Sequence, residues 1–122
     1  ALQRIQEARA GEKVSEWRDL IVTNLQTLRD HSVRLAIGSD SYRQTALSEG
    51  LALAKLGVFD NRSFLRMWSE TTAATIFPAR KIGRLREGYE ASFLIVDAHP
   101  LQEVANVRKI SRRFKQGAFL TD

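Results

Sequence analysis

The amino-acid sequence predicts an α/β fold in two parts, residues 1–78 and residues 79–122. Before Pro78, apolar residues recur at helical spacing on both sides of one short apolar run, which is the helix–strand–helix order of a parallel α/β fold. After Pro78, short apolar runs alternate with turn residues, a pattern typical of strands and hairpins. Because a single parallel strand cannot form a sheet, we expect the chain to be an incomplete part of a larger fold.

The first part begins with a predicted helix over residues 13–31. His31 falls in its last turn, where the helix dipole favours a cation. Residues 33–38 then form a mostly apolar run that predicts a strand, and this run ends in the turn residues Gly38-Ser39-Asp40-Ser41. The apolar residues of the helix recur at steps of three and four and share one face: Val14, Trp17, Ile21, Leu25 and Leu28.

Three further helices are predicted before Pro78, over residues 43–56, 61–69 and 71–77. Gly57 is placed to end the first, and Asp60 is a good N-cap for the second. Pro78 opposes continuation of the third. The apolar spacing predicts inner faces formed by Leu47, Leu51, Ala54, Phe64 and Trp68.

The second part contains three predicted strands. Phe93–Val96 is apolar throughout and is followed by the turn residues Asp97 and Pro100. Ile110–Lys115 and Ala118–Leu120 are predicted to form a hairpin across Gln116-Gly117. These strands are too few to close a sheet comfortably, so we expect them to form part of a small β-domain.

Composition narrows the class of protein. The chain has 122 residues, of which 43% are apolar and 27% charged, as in a globular domain. It has no cysteine, which excludes disulfides and thiolate metal sites and favours a reducing cytoplasm. No apolar run approaches the roughly 20 residues that cross a bilayer, so no membrane partner is expected. No signal peptide is predicted, and the initial Ala1 is interpreted as the start of a trimmed or processed chain.

The net charge of +5 raises the question of a nucleic-acid partner. The densest basic stretch is residues 108–115, and aromatic side chains are not interleaved there as in a stacking platform. A solvated strand face is therefore favoured, and nucleic-acid binding is the least favoured reading.

Asp40 is the residue best placed for chemistry. It follows a predicted parallel strand, the position at which barrel enzymes carry their functional groups. A carboxylate there can bind a divalent metal or accept a proton from water, but from the spacing alone stabilising the turn or capping the next helix is the favoured role. The two imidazoles, His31 and His99, are interpreted as a helix-terminal and a loop residue, and no complete metal centre is predicted within the chain.

The ordered motifs resemble the C-terminal end of the amidohydrolase superfamily, specifically its imidazolonepropionase-like and prolidase-like branch. The resemblance starts with the apolar run leading to Gly38-Ser39-Asp40 and continues through Thr71-Thr72-Ala73-Ala74. Its most specific part is Gly83-x-Leu85-x-x-Gly88-x-x-Ala91, followed by the apolar strand and Asp97-x-x-Pro100. It implies that residues 1–78 are the last βα units of a metal-dependent (β/α)8 barrel. Residues 79–122 would then be the C-terminal part of a composite β-sandwich.

The resemblance also implies roles for individual residues. Asp40 matches the aspartate at the end of the eighth barrel strand, which ligates a divalent metal, with zinc expected, and shuttles a proton during hydrolysis of an amide or other C–N bond. Ser39 and Ser41, which flank Asp40, are implied to line the pocket of a small amide-type substrate. The remaining metal ligands of the family lie upstream of such a segment. We therefore expect the chain alone to bind no metal and to be inactive.

One departure and one alternative function follow. Position 92 is Ser where the family usually has Asp, and we expect this to affect the sandwich rather than catalysis. The alternative is a non-catalytic module that self-associates or docks on the missing half of the barrel, because truncation leaves a strand edge and apolar helix faces unpaired.

Overall fold

The computed structural model describes residues 2–40, 42–43 and 45–121, with side chains from residue 10 onward. The chain separates into two compact units, residues 1–34 and residues 35–122. The division of the sequence at Pro78 into barrel and sandwich stays a prediction.

The first unit is a single long helix, α1, spanning Leu2–Asp30. It starts earlier than the predicted residue 13 and ends one residue before the predicted residue 31. Its end is a Schellman motif, in which the amide of Val33 donates to the carbonyl of Leu28 (2.9 Å) and the amide of Ser32 to that of Arg29 (2.9 Å). Ser32 has the positive φ of 54° that this motif requires. Nδ1 of His31 lies 2.8 Å from the carbonyl of Thr27, which confirms His31 as a helix-terminal residue.

The predicted strand over residues 33–38 is wrong for this chain. Residues 33–39 form no strand pairing in the structure. The strands found among the described residues pair only with one another and are all antiparallel. A strand is stable only when it pairs with a neighbouring strand, and no described strand pairs with residues 33–39.

The second unit contains two helical elements. Helix α2 spans Leu47–Ala54, and it is followed by Gly57 at a φ of +69°. The second element is one helical run from Asn61 to Ile76, made of α3 (Asn61–Arg66), a π-helical turn (Met67–Thr71) and α4 (Thr72–Ile76). The two helices predicted there are therefore joined. Asp60 caps the run as predicted, because its carboxylate accepts from the amide of Ser63 at 3.0 Å.

The core of the second unit lies between these helices and a 3₁₀ helix at Val104–Arg108. Its buried side chains are Ile37, Leu51, Phe64 and Val104. The ring of Trp68 meets that of Phe64 edge-on, with centroids 5.8 Å apart. Gly50 is buried directly against the Trp68 indole, so that a Cβ at position 50 would overlap the ring. The predicted inner faces of the helices are thus confirmed.

The sheet of the second unit has three antiparallel strands in the order β1-β2-β3. They are β1 (Phe93–Val96), β2 (Ile110–Lys115) and β3 (Ala118–Leu120), with the bounds predicted from the sequence. Gln116 and Gly117 turn the hairpin with φ of 52° and 81°, as a type I′ turn requires. Neither a barrel nor a sandwich is present among the described residues, because these three strands make one open sheet.

The segment between α4 and β1 is held by specific contacts. Gly83, at a φ of +87°, lies so close to the Ser69 carbonyl of the π-helical turn that a side chain would not fit. The hydroxyl of Ser92 donates to Glu90 (2.6 Å) and accepts from the amide of Gln116 (3.0 Å). Ser92 therefore has a structural role in joining this segment to the hairpin turn.

Among the described residues, no helix combines the length and the apolar character needed to cross a membrane.

Candidate functional site

The candidate site is the segment without regular secondary structure that carries Gly38, Ser39 and Asp40. Ile37 is the buried residue of this segment: its side chain is only 3% exposed and belongs to the hydrophobic core. The residues that follow Ile37 are exposed, and a Cβ built on Gly38 would meet nothing within 4 Å. The segment thus passes from the core to the surface within three residues of Asp40.

A threonine of the helical run holds this segment. The amide of Ile37 donates to Oγ1 of Thr72 at 2.9 Å. The same hydroxyl donates to the carbonyl of Met67 at 2.8 Å, and the backbone amide of Thr72 donates to that carbonyl as well. The hydroxyl of Thr72 therefore connects the buried end of the segment to the π-helical turn.

The structure does not gather the predicted site residues into a pocket. Ser39 and Asp40 are exposed, and Ser41 lies outside the described residues. Three clefts of the second unit, of about 430, 750 and 620 Å³, are lined by residues other than Ser39 and Asp40. The roles predicted for Ser39, Asp40 and Ser41 stay predictions.

The donor set for a metal ion is incomplete among the described residues. No group of three or more His, Asp or Glu side chains there is close enough to hold an ion. Nδ1 of His99 accepts from the amide of Leu101 at 3.2 Å, which confirms the loop role predicted for this residue. Asp40 offers one carboxylate of the type that divalent metals bind, and one carboxylate does not make a site. A metal centre would therefore need ligands beyond the described residues.

Two other carboxylates of the second unit have structural partners. Glu70 lies 3.0 Å from a guanidinium nitrogen of Arg84 and 3.7 Å from one of Arg66. Hydrogen bonds from the hydroxyl of Ser92 and from Arg80 hold the pKa of Glu90 below its ordinary value. Both groups are engaged in joining segments of the fold.

Thr72 is named in the sequence only as part of the Thr71–Ala74 motif, and no role beside Asp40 is predicted for it. Threonine in the middle of a helix is a poor helix former, and its hydroxyl normally bonds to the preceding turn of its own helix. No sequence pattern relates position 72 to position 37, because the two residues meet only in the folded chain.

Comparison with known proteins gives one match. The model of the family described as "Amidohydrolase family" matches residues 21–119. No curated protein and no solved structure matches the chain.

Proposed function

The chain belongs to the amidohydrolase family, and from this premise we propose that it is the C-terminal part of a metal-dependent hydrolase that cleaves an amide or another C–N bond. The observation that supports the proposal most is the extent of the family match, which spans both the segment of Asp40 and the Gly83–Ala91 motif with the strand that follows it. We place the parent enzyme in the imidazolonepropionase-like and prolidase-like branch on these motifs.

The same proposal assigns parts of a larger fold. Residues 1–78 would supply the last βα units of a (β/α)8 barrel, and residues 79–122 part of a β-sandwich. Support comes from the non-helical backbone of residues 33–39 between two helices and from the burial of Ile37 in the core.

Asp40 is proposed as the catalytic residue. Its carboxylate takes a proton from the attacking water as the water oxygen bonds to the carbonyl carbon. It returns that proton to the leaving nitrogen as the C–N bond breaks, so that one group serves as base and then as acid. Ser39 and Ser41 are proposed to line the substrate pocket beside it.

The metal is proposed for the parent enzyme. Asp40 would be one ligand of a divalent ion, with zinc the expected metal, and the other ligands would lie outside this chain. When bound in the parent enzyme, the ion would activate the attacking water, and the chain alone is proposed to be inactive. The absence of cysteine supports a reducing location such as the cytoplasm.

A second candidate function is self-association, or docking on the missing part of the barrel. The observation that favours it is the exposure of apolar side chains along α1, including Val14 at 68% and Trp17 at 66%. Contiguous exposed apolar surface commonly marks an interaction site.

The decisive experiment uses the complete gene product that carries this chain. Asp40→Asn is compared with Asp97→Asn, a matched change at an exposed aspartate after β1. Hydrolysis is measured on cyclic amides, N-acylated amino acids and esters, and bound metal by elemental analysis. We expect Asp40→Asn to lower kcat by about 10²–10⁴-fold, the range of general acid–base catalysis, and Asp97→Asn to leave it unchanged.

Two results would contradict the proposal. Full activity of Asp40→Asn would remove the catalytic role of this residue. A complete gene product that holds no metal and hydrolyses none of these compounds would contradict the hydrolase itself, and cleavage of esters without cleavage of any amide would contradict the C–N assignment.

A further inference from the structure

The backbone of the Asp40 segment is fixed by a side chain rather than by a neighbouring strand. The amide of Ile37 is directed to Oγ1 of Thr72, 35 positions along the chain. Ile37 is buried, and a buried amide without a partner is costly, so this hydrogen bond constrains where the segment can lie. Asp40 follows only three residues later.

The π-helical turn accounts for the orientation of Thr72. Such a turn inserts one extra residue into the helical repeat, and each residue of an α-helix advances by about 100° around the axis. Without the insertion at Met67–Thr71, Thr72 would lie about 100° further round relative to the buried Phe64. The turn therefore lets one helical run bury Phe64 in the core and present a hydroxyl to Ile37.

We propose that Thr72 is a positioning residue for Asp40, acting through the backbone of Ile37. This inference rests on the proposed function, because it assumes that Asp40 reacts. The hydroxyl is required since it accepts from Ile37 and donates to the Met67 carbonyl at the same time. A valine has the same shape and can do neither, whereas a serine can do both.

The test compares Thr72→Val, Thr72→Ser and Thr75→Val in the complete gene product, with Asp40→Asn alongside. Thr75 is the matched control, because it lies on the same helix, is exposed, and donates only to the Thr71 carbonyl at 2.8 Å. Three quantities are measured: amide hydrogen exchange at Ile37, kcat and KM for an amide substrate, and the thermal midpoint.

We expect Thr72→Val to speed exchange at Ile37 and to lower kcat about tenfold with KM within about twofold. A displacement of about 1 Å in a reacting group can cost about 100-fold, so a smaller shift fits a tenfold loss. In Thr72→Ser and in Thr75→Val, the exchange rate at Ile37 and kcat should both equal those of the unmodified protein. A merely structural role would lower the thermal midpoint without this separation of kcat from KM.

The contrary outcomes are distinct. Unchanged exchange at Ile37 in Thr72→Val overturns the anchoring role. Faster exchange with unchanged kcat, in a protein that Asp40→Asn inactivates, overturns the positioning role alone. Full activity of Asp40→Asn overturns the catalytic role of Asp40 and the positioning role together, whatever the exchange shows.

Discussion

Helix α1 and the helical run from Asn61 to Ile76 have apolar residues at similar spacing and bury them very differently. On α1, Trp17 is 66% exposed and Val14 is 68% exposed. On the shorter run, Phe64 is 1% exposed and touches the ring of Trp68. The difference teaches that periodicity defines a face of a helix, whereas burial depends on the elements that are available to cover that face.

The largest effect that tests this comparison is expected for truncation of Phe64. Phe64→Ala removes the most completely buried ring of the second unit and leaves a cavity, so we expect a loss of about 3–5 kcal/mol in the free energy of unfolding. Trp17→Ala removes a larger side chain from an exposed position and should change that free energy by about 0.5 kcal/mol or less. Urea denaturation of the two variants gives both values.

The same pair of variants tests self-association. If the exposed face of α1 binds a second copy, the mass found by light scattering rises with concentration and falls again in Trp17→Ala. A cost for Trp17→Ala as large as that for Phe64→Ala would mean that a partner covers this face in solution. A mass that stays monomeric at every concentration would contradict self-association.

The next largest effects are expected for glycine-to-alanine substitutions, which should lower the stability of the second unit and raise that of α1. Gly83 combines a φ of +87° with close approach to the Ser69 carbonyl of the helical run, so Gly83→Ala should destabilise by about 2–4 kcal/mol. Gly11 lies within α1 with open space around it, so Gly11→Ala should stabilise that helix by about 0.5–1 kcal/mol.

Gly88 is the control for backbone strain in this set. It has a φ of +81° and nothing within 4 Å of a built Cβ, so Gly88→Ala should cost about 1 kcal/mol from strain alone. Thermal and urea midpoints of the three variants give the order of their stabilities. Equal losses for Gly83→Ala and Gly88→Ala would show that the approach to Ser69 does not matter.

The smallest effect is expected for the pH dependence of stability, which comes from the cap at the start of the helical run. Hydrogen bonds from the hydroxyl and the amide of Ser63 hold the pKa of Asp60 below its ordinary value. Because the folded pKa is the lower one, this stabilisation is complete above the ordinary aspartate pKa of about 3.9 and is lost as pH falls through the folded pKa. Helix α1 has no acidic residue in its first turn.

Asp60→Asn isolates the effect of the titrating carboxylate, because asparagine also caps helices and does not titrate. Thermal midpoints are measured from pH 6 down to pH 2.5. The unmodified chain should lose more stability than Asp60→Asn in the acid range, by a small margin because Asp60 is exposed. Parallel curves for the two proteins would contradict the role of the Asp60 carboxylate.

Much of the second unit was predictable because its signals are local. Asp60 and Ser63 form a cap within four residues, and Gln116-Gly117 forms a turn that only residues tolerating positive φ adopt readily. The strand predicted at residues 33–38 failed because a strand is defined by its neighbours. Likewise, two separate helices were predicted over residues 61–77, since the π-helical turn that joins them leaves no mark in the apolar spacing.

The sequence by itself determined the helices and strands that rest on local spacing, their inner faces, and the ordered motifs that place the chain among amidohydrolases. It also named Asp40 as the candidate for chemistry. Only the tertiary structure decided that the amide of Ile37 bonds to Thr72, that Gly83 rather than Gly88 is crowded, and that the α1 face is exposed. The reason is physical: local elements depend on interactions within a few residues, whereas these contacts join residues that meet only when the chain has folded.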